Sequence, residues 1–212
     1  MADPSERSDA LSQLVGAGFF CAGSGCFIWL SWVDDWVRPM RLGCGCWIAG
    51  ASCYLSPPLR SAWRRACAST LARDAMPALA MLSWIVGCAF SFVDDVEREL
   101  PLINGSFVAG AACLLADAGW RALAQWRRRE ASARARLVLR ADGAAAVCYV
   151  LAAAFGGYAW EVGWVRFGMV CWLAGSLLSV VSPGVCLVPA RRPKQVMEPT
   201  AVSTQPVQPE VH

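Results

Sequence analysis

Six apolar stretches divide this chain, at 14–33, 42–59, 76–93, 102–120, 142–160 and 167–188. A helix needs about 20 predominantly apolar residues to cross the hydrocarbon of a bilayer, and each stretch comes close to that length. They are apolar all round, without the strict alternation of a barrel strand. An uncovered backbone polar group in hydrocarbon costs several kcal/mol, so the stretches are expected to be helical. Composition agrees: 17% of the 212 residues are charged, against about a quarter in a soluble domain. The expected fold class is all-α, an integral membrane protein with six transmembrane helices paired as three helical hairpins.

The connections are of two kinds. Those after the first, third and fifth stretches are short and acidic, around Asp34–Arg41, Asp94–Pro101 and Glu161–Arg166. Those after the second and fourth, "RSAWRRACASTLARD" at 60–74 and "RALAQWRRREASARARLVLR" at 121–140, are rich in arginine. Of the 19 basic residues, only Arg38, Arg41, Arg98 and Arg166 fall on the acidic side. Under the positive-inside rule this puts both termini on the cytoplasmic side, or in the matrix or stroma of an organelle. Trp32, Trp36, Trp160 and Trp164 at one level, and Trp63, Trp120 and Trp126 at the other, suit two headgroup belts. The arginine-rich connections are expected to lie along the inner surface as short interfacial helices, facing lipid phosphates. The polar N-terminus, "MADPSERSDA", reads neither as a cleaved signal nor as an arginine-rich transit peptide.

A shift of sixty residues places Ser31, Val33, Asp34, Asp35 and Arg38 on Ser91, Val93, Asp94, Asp95 and Arg98. Without a gap it also places Gly45, Ala49, Gly50 and Cys53 on Gly105, Ala109, Gly110 and Cys113. A third copy follows more loosely: "CWIAGA" at 46–51 meets "SFVAGA" at 106–111 and "CWLAGS" at 171–176, and Pro58 meets Pro183. That copy lacks the aspartate pair and carries only Glu161. The expected organisation is a polar segment 1–13, hairpin repeats at 14–59, 76–120 and 142–188, inner interfacial loops at 60–75 and 121–141, and a disordered tail at 189–212. "FFCAGSGCFIWL" at 19–30, "CWIAGASCYLSPPLR" at 46–60 and "CWLAGSLLSVVSP" at 171–183 give this hairpin its character. It resembles the YrhK-like family of small two-helix membrane domains. The second copy has Ala118 where the others have the closing proline. The resemblance implies a fold and a membrane location, and no activity, cofactor or catalytic residue.

Two sets of residues invite a functional reading. Gly45, Ala49, Gly50, Gly105, Ala109, Gly110 and Gly175 place small residues at four-residue spacing on the second helix of each hairpin, where they are expected to let helix backbones approach. A glycine-lined pore is the alternative. Asp34, Asp35, Asp94 and Asp95 crowd acid onto the tips, as a cation-attracting mouth or as wet helix ends. They terminate their helices, where a charge costs far less than at mid-bilayer, so the structural reading is preferred. Asp117 and Asp142 fall near the inner boundary, beside Arg121 and Arg140 respectively. Eight of the 11 cysteines (Cys21, Cys26, Cys53, Cys88, Cys113, Cys148, Cys171 and Cys186) sit within apolar runs, there is no C-x-x-C, and the single histidine is His212, so neither a metal nor a disulfide framework is expected. No catalytic set and no phosphate-binding glycine loop is present. Next to membrane spans, "WRRRE" suits a bilayer surface better than nucleic acid. A multi-pass membrane protein of structural or assembly type is therefore expected, without cofactor. Its partners would be the bilayer and another membrane protein or a second copy of the chain. The alternatives are a small cation channel or transporter and, more remotely, a membrane enzyme.

Overall fold

A computed structural model describes residues 4–30, 32, 37–64, 68–128, 132–158 and 162–188. Among these are seven α-helices and no strand: α1 (Pro4–Leu30), α2 (Val37–Arg64), α3 (Ala68–Phe90), α4 (Val96–Arg128), α5 (Ala133–Tyr158), α6 (Val162–Ser179) and the short α7 (Val181–Leu187). Burial follows the helical period. On α1 the buried positions include Ala10, Ala17, Phe20, Ser24 and Phe27, and on α2 Met40, Cys44, Trp47, Ala51 and Leu55. Steps of three and four residues select one stripe per helix.

The other faces are apolar too. Leu79, Leu82 and Val86 of α3, Val108 and Leu115 of α4, and Val170 and Leu177 of α6 are exposed. An exterior as apolar as the interior belongs in lipid rather than water. Exposed Trp32 and Trp164 lie at the tip end, and exposed Trp120 and Trp126 at the arginine-rich end.

Among the described residues four helical segments are long and apolar enough to cross a membrane: Ser5–Trp29, Arg98–Arg127, Ala133–Phe155 and Gly163–Leu187. Among the described residues the other two expected spans do not meet that measure. α3 has 23 residues, and its side chains are described from Ala75 onward, where Ala75–Phe90 is apolar. α2 carries Arg38 and Arg41 near one end, and Pro57, Pro58 and Arg60 near the other.

The arginine-rich connections are largely helical, continuous with the long helices that flank them. Helix takes up most of 60–75 and 121–141: α2 runs to Arg64, α3 starts at Ala68, α4 runs to Arg128 and α5 starts at Ala133. Alanine, leucine, glutamine and arginine all favour helix, and nothing in 121–128 breaks it. The 33 residues of α4 extend about 50 Å, well past a hydrocarbon core of about 30 Å. The tail at 189–212 lies outside the described residues.

Each helix packs against its neighbours in the chain, and α6 and α7 return to α1, so the bundle closes into a ring. On that closing seam Ser24 Oγ and Ser176 Oγ lie 3.0 Å apart, both buried, and Ser176 also donates to Trp172 O at 2.9 Å. Prolines inside the helices free carbonyls that hydroxyls of other helices then take up. Pro57 cannot donate to Cys53 O, which accepts from Ser12 Oγ of α1 at 3.0 Å and from Ser56 Oγ at 3.0 Å. Pro183 cannot donate to Ser179 O, which accepts from Tyr54 Oη of α2 at 3.1 Å. Hydroxyls thus replace the missing backbone donors where water is scarce.

Candidate functional site

The centre of the ring is packed with aromatic rings in two sets. Trp47 of α2, Phe107 of α4 and Trp172 of α6 form one, with centroids 5.7 Å (Trp47–Phe107), 4.7 Å (Trp47–Trp172) and 5.2 Å (Phe107–Trp172) apart. Phe20 of α1, Trp84 of α3 and Tyr149 of α5 form the other, with 5.7 Å between Phe20 and Trp84 and 5.0 Å between Trp84 and Tyr149. The sets touch, for example through Trp47 and Trp84 at 5.0 Å. All six rings are buried. Most pairs meet edge to face, as aromatic quadrupoles prefer. Trp84 Nε1 donates to Phe107 O at 3.2 Å, whereas Trp47 Nε1 has no hydrogen-bond partner.

Above this plug, towards the arginine-rich end, a funnel of about 520 Å³ opens between all the helices. Phe20, Trp84 and Tyr149 line its depth, and Glu6, Asp9, Asp117 and Asp142 supply its acids. One cation faces them from the wall. Arg121 donates through Nη1 to Asp142 Oδ2 at 2.6 Å. Its Nε stands 2.8 Å from Asp117 Oδ2, close enough for an ion pair although not aligned as a hydrogen bond. Asp117 is only 8% exposed. Asp9, nearer the rim, pairs with Arg60 at 2.7 Å. Tyr149 Oη and Ser179 Oγ, 3.0 Å apart, close the polar network on the α5–α6 side.

Asp142 pairs with Arg121 of α4 and not with Arg140, its neighbour in sequence. Residues two apart on a helix point to different sides, so Arg140 cannot serve Asp142. Arg121 sits four residues after Asp117 and is presented across the α4–α5 seam, and it takes both carboxylates. Three features here escaped sequence reasoning: the shared guanidinium, the funnel and the aromatic plug. The spacing of Phe20, Trp84 and Tyr149 against Gly50, Gly110 and Gly175 carries a signal for the plug. Phe20 to Trp84 is a step of 64 residues, whereas Gly50 to Gly110 is a step of 60, and an alignment at one fixed shift does not see both.

At the tip end Asp34 and Asp35 lie outside the described residues. Asp94 and Asp95 are exposed. Asp95 occupies the N-cap of α4, its Oδ1 accepting from the Arg98 N–H at 3.4 Å. Arg41 reaches across from α2, donating to Ser91 O at 3.2 Å and Val93 O at 3.0 Å. Arg166 of α6 lies 4.1 Å from the centroid of the Trp32 ring, a cation–π contact. Arg41 thus ties α2 to the end of α3, and Arg166 ties α6 to Trp32 beyond the end of α1.

The small residues divide by face. A Cβ on Gly50 would stand 2.8 Å from the Phe20 ring and 2.9 Å from Gly16 O. On Gly110 it would meet Trp84 and come within 3.0 Å of Ala80 O, and on Gly175 it would stand 2.8 Å from the Tyr149 ring. Beside Gly45 the nearest atom, in Phe92, is 3.9 Å away, and Gly105 has nothing within 4 Å. Ala109 is exposed and Ala49 half-buried. The close approaches are therefore at Gly50, Gly110 and Gly175.

The ten described cysteines are all free thiols, and Cys44 and Cys88 are buried neighbours between α2 and α3. Among the described residues no group of three or more His, Cys, Asp or Glu is arranged to hold a metal ion. No protein-family model matches the chain, and no curated protein or solved structure matches it either.

Proposed function

We propose that this chain is a six-span membrane protein of three tandem helical hairpins, similar to the YrhK-like domain, and that it acts as a structural or assembly component without catalytic chemistry. The aromatic plug carries this reading. Six buried rings occupy the axis where a conduction path would run, and the charges of the funnel are largely paired within the protein. The threefold repeat is supported by recurrence of one contact: Gly50 against Phe20, Gly110 against Trp84 and Gly175 against Tyr149. Each joins a second helix to the first helix of its own pair. The excess of arginine at one end supports placing both termini on the cytoplasmic, matrix or stromal side. Assembly would join the chain to a second copy or to another membrane protein.

The funnel favours one rival, a small cation transporter that loads from the arginine-rich end and opens at the plug. Cation flux into vesicles reconstituted with the full chain separates the two. The structural reading expects flux equal to that of protein-free vesicles, before and after Asp117→Asn with Asp142→Asn. Flux above that background, abolished by the double substitution, would establish the rival.

A further inference from the structure

We infer that Cys44 of α2 and Cys88 of α3 are a redox modification site, at which hydrogen peroxide joins the two helices by a reversible disulfide. This rests on the packing of α2 against α3, and on neither the assembly role nor the membrane orientation. Contacts on both sides of the pair set the antiparallel register of the two helices. One turn before Cys44, Arg41 donates to Ser91 O at 3.2 Å and to Val93 O at 3.0 Å. One turn after it, the Trp47 ring meets the Trp84 ring at 5.0 Å between centroids. Cys44 lies three residues from each of Arg41 and Trp47, and Cys88 lies three from Ser91 and four from Trp84. The thiols therefore face each other across the α2–α3 seam, with the Ser91 side chain beside Cys44. Ser91 Oγ is itself held by donating to Cys88 O at 2.6 Å.

Their placement selects the oxidant. Cys44 is 1% exposed and Cys88 0%. A protein or peptide disulfide would have to bring its own sulfur against one of them, and the packing leaves no room for it. Hydrogen peroxide is little larger than water. The pair lies one helical turn, about 5 Å, in from Arg41, whose hydrogen bond to Val93 O is exposed. In the first step the sulfur of one cysteine attacks a peroxide oxygen and the O–O bond breaks. The thiol proton leaves with the far oxygen as water, and a sulfenic acid remains. The second sulfur attacks that sulfenic acid, the S–S bond forms and a second water departs. Two thiols are oxidised, and one peroxide is reduced to two waters. A facing thiol captures the sulfenic acid before further oxidation, which makes the change reversible. The bond ties the first helix pair to the second.

The test treats the full chain, purified reduced in a neutral detergent, with hydrogen peroxide. The chain is then unfolded in dodecyl sulfate with N-ethylmaleimide, which blocks every thiol that is still free. Trypsin cuts after Arg41, Arg60, Arg73 and Arg98, leaving Cys44 on peptide 42–60 and Cys88 on peptide 74–98. Mass spectrometry without reductant should find these two peptides joined, and dithiothreitol should separate them. C88A should lower the joined species roughly tenfold or more, since a disulfide needs both thiols. Peptide 42–60 also holds Cys46 and Cys53, so C44A should cause the same loss, and C46A and C53A should cause none. A joined species that persists in C44A would overturn the proposal. So would Cys44 and Cys88 that both remain blocked as free thiols while the exposed Cys186 is oxidised. Oxidation of either residue to sulfinic acid in place of the disulfide would overturn it as well. Should C44A fail to fold, fragmentation of the joined wild-type peptides decides, and a bond at Cys46 or Cys53 overturns the pairing.

Discussion

Gly50 and Gly45 lie on the same helix, as do Gly110 and Gly105, yet the two members of each pair have unlike surroundings. At Gly50 and Gly110 an added Cβ would strike an aromatic ring and a backbone carbonyl of the preceding helix, while at Gly105 it would meet open space. The carboxylates show the same contrast. Asp117 is buried and shares a guanidinium with Asp142, whereas Asp94 and Asp95 are exposed at a helix start. Residue type is alike in each comparison, and the surroundings decide what the residue does.

The glycines give the largest expected effect. Gly110→Leu and Gly50→Leu should each cost about 3 kcal/mol or more, because the obstructing carbonyl cannot move without shifting a helix. Gly105→Leu should stay within about 0.5 kcal/mol. Thermal unfolding in detergent, with size-exclusion elution as the readout of assembly, compares them directly. Equal losses at Gly105 and Gly110 would break the division into two faces.

Next come the carboxylates. Arg121→Met should cost about 2–3 kcal/mol, less than for a fully buried pair because the arginine side chain is 41% exposed. It leaves two shielded carboxylates without their shared cation, so adding Asp117→Asn and Asp142→Asn should recover most of the loss. Asp94→Asn should leave the midpoint unchanged. A loss from Asp94→Asn matching that from Arg121→Met would erase the distinction between the two ends.

The two proline-freed carbonyls sharpen the comparison on a smaller scale. Ser179 O accepts from Tyr54 Oη of α2, whereas Cys53 O has hydroxyl donors from both Ser12 and Ser56. Tyr54→Phe should cost about 1–2 kcal/mol by leaving a shielded acceptor without that donor. Ser12→Ala should cost less, since Ser56 remains. The reverse order, measured by the same unfolding assay, would show that the freed carbonyls are not what these hydroxyls serve.

The smallest effect is at the α4 cap. Asp95→Ala should cost about 0.5–1 kcal/mol, and Asp95→Asn close to nothing, because asparagine caps a helix about as well as aspartate. A loss from Asp95→Asn equal to that from Asp95→Ala would mean that the charge, not the cap, is what the tip requires.

The sequence by itself determined the helical class, the positions of the apolar segments, the charge difference between the two ends and the set of small residues available for close packing. These follow from local chemistry: backbone groups in hydrocarbon must be paired within the helix, and charge stays near water. Only the tertiary structure decided which stripe of small residues is inward, because in lipid both faces of a helix are apolar and spacing alone cannot rank them. It also decided that α1 meets α6, that the aromatic residues of first and second helices interlock with steps of 64 and 60, and that one arginine serves two helices. Such pairings depend on how far each helix is turned and slid against its neighbour, which no single segment encodes.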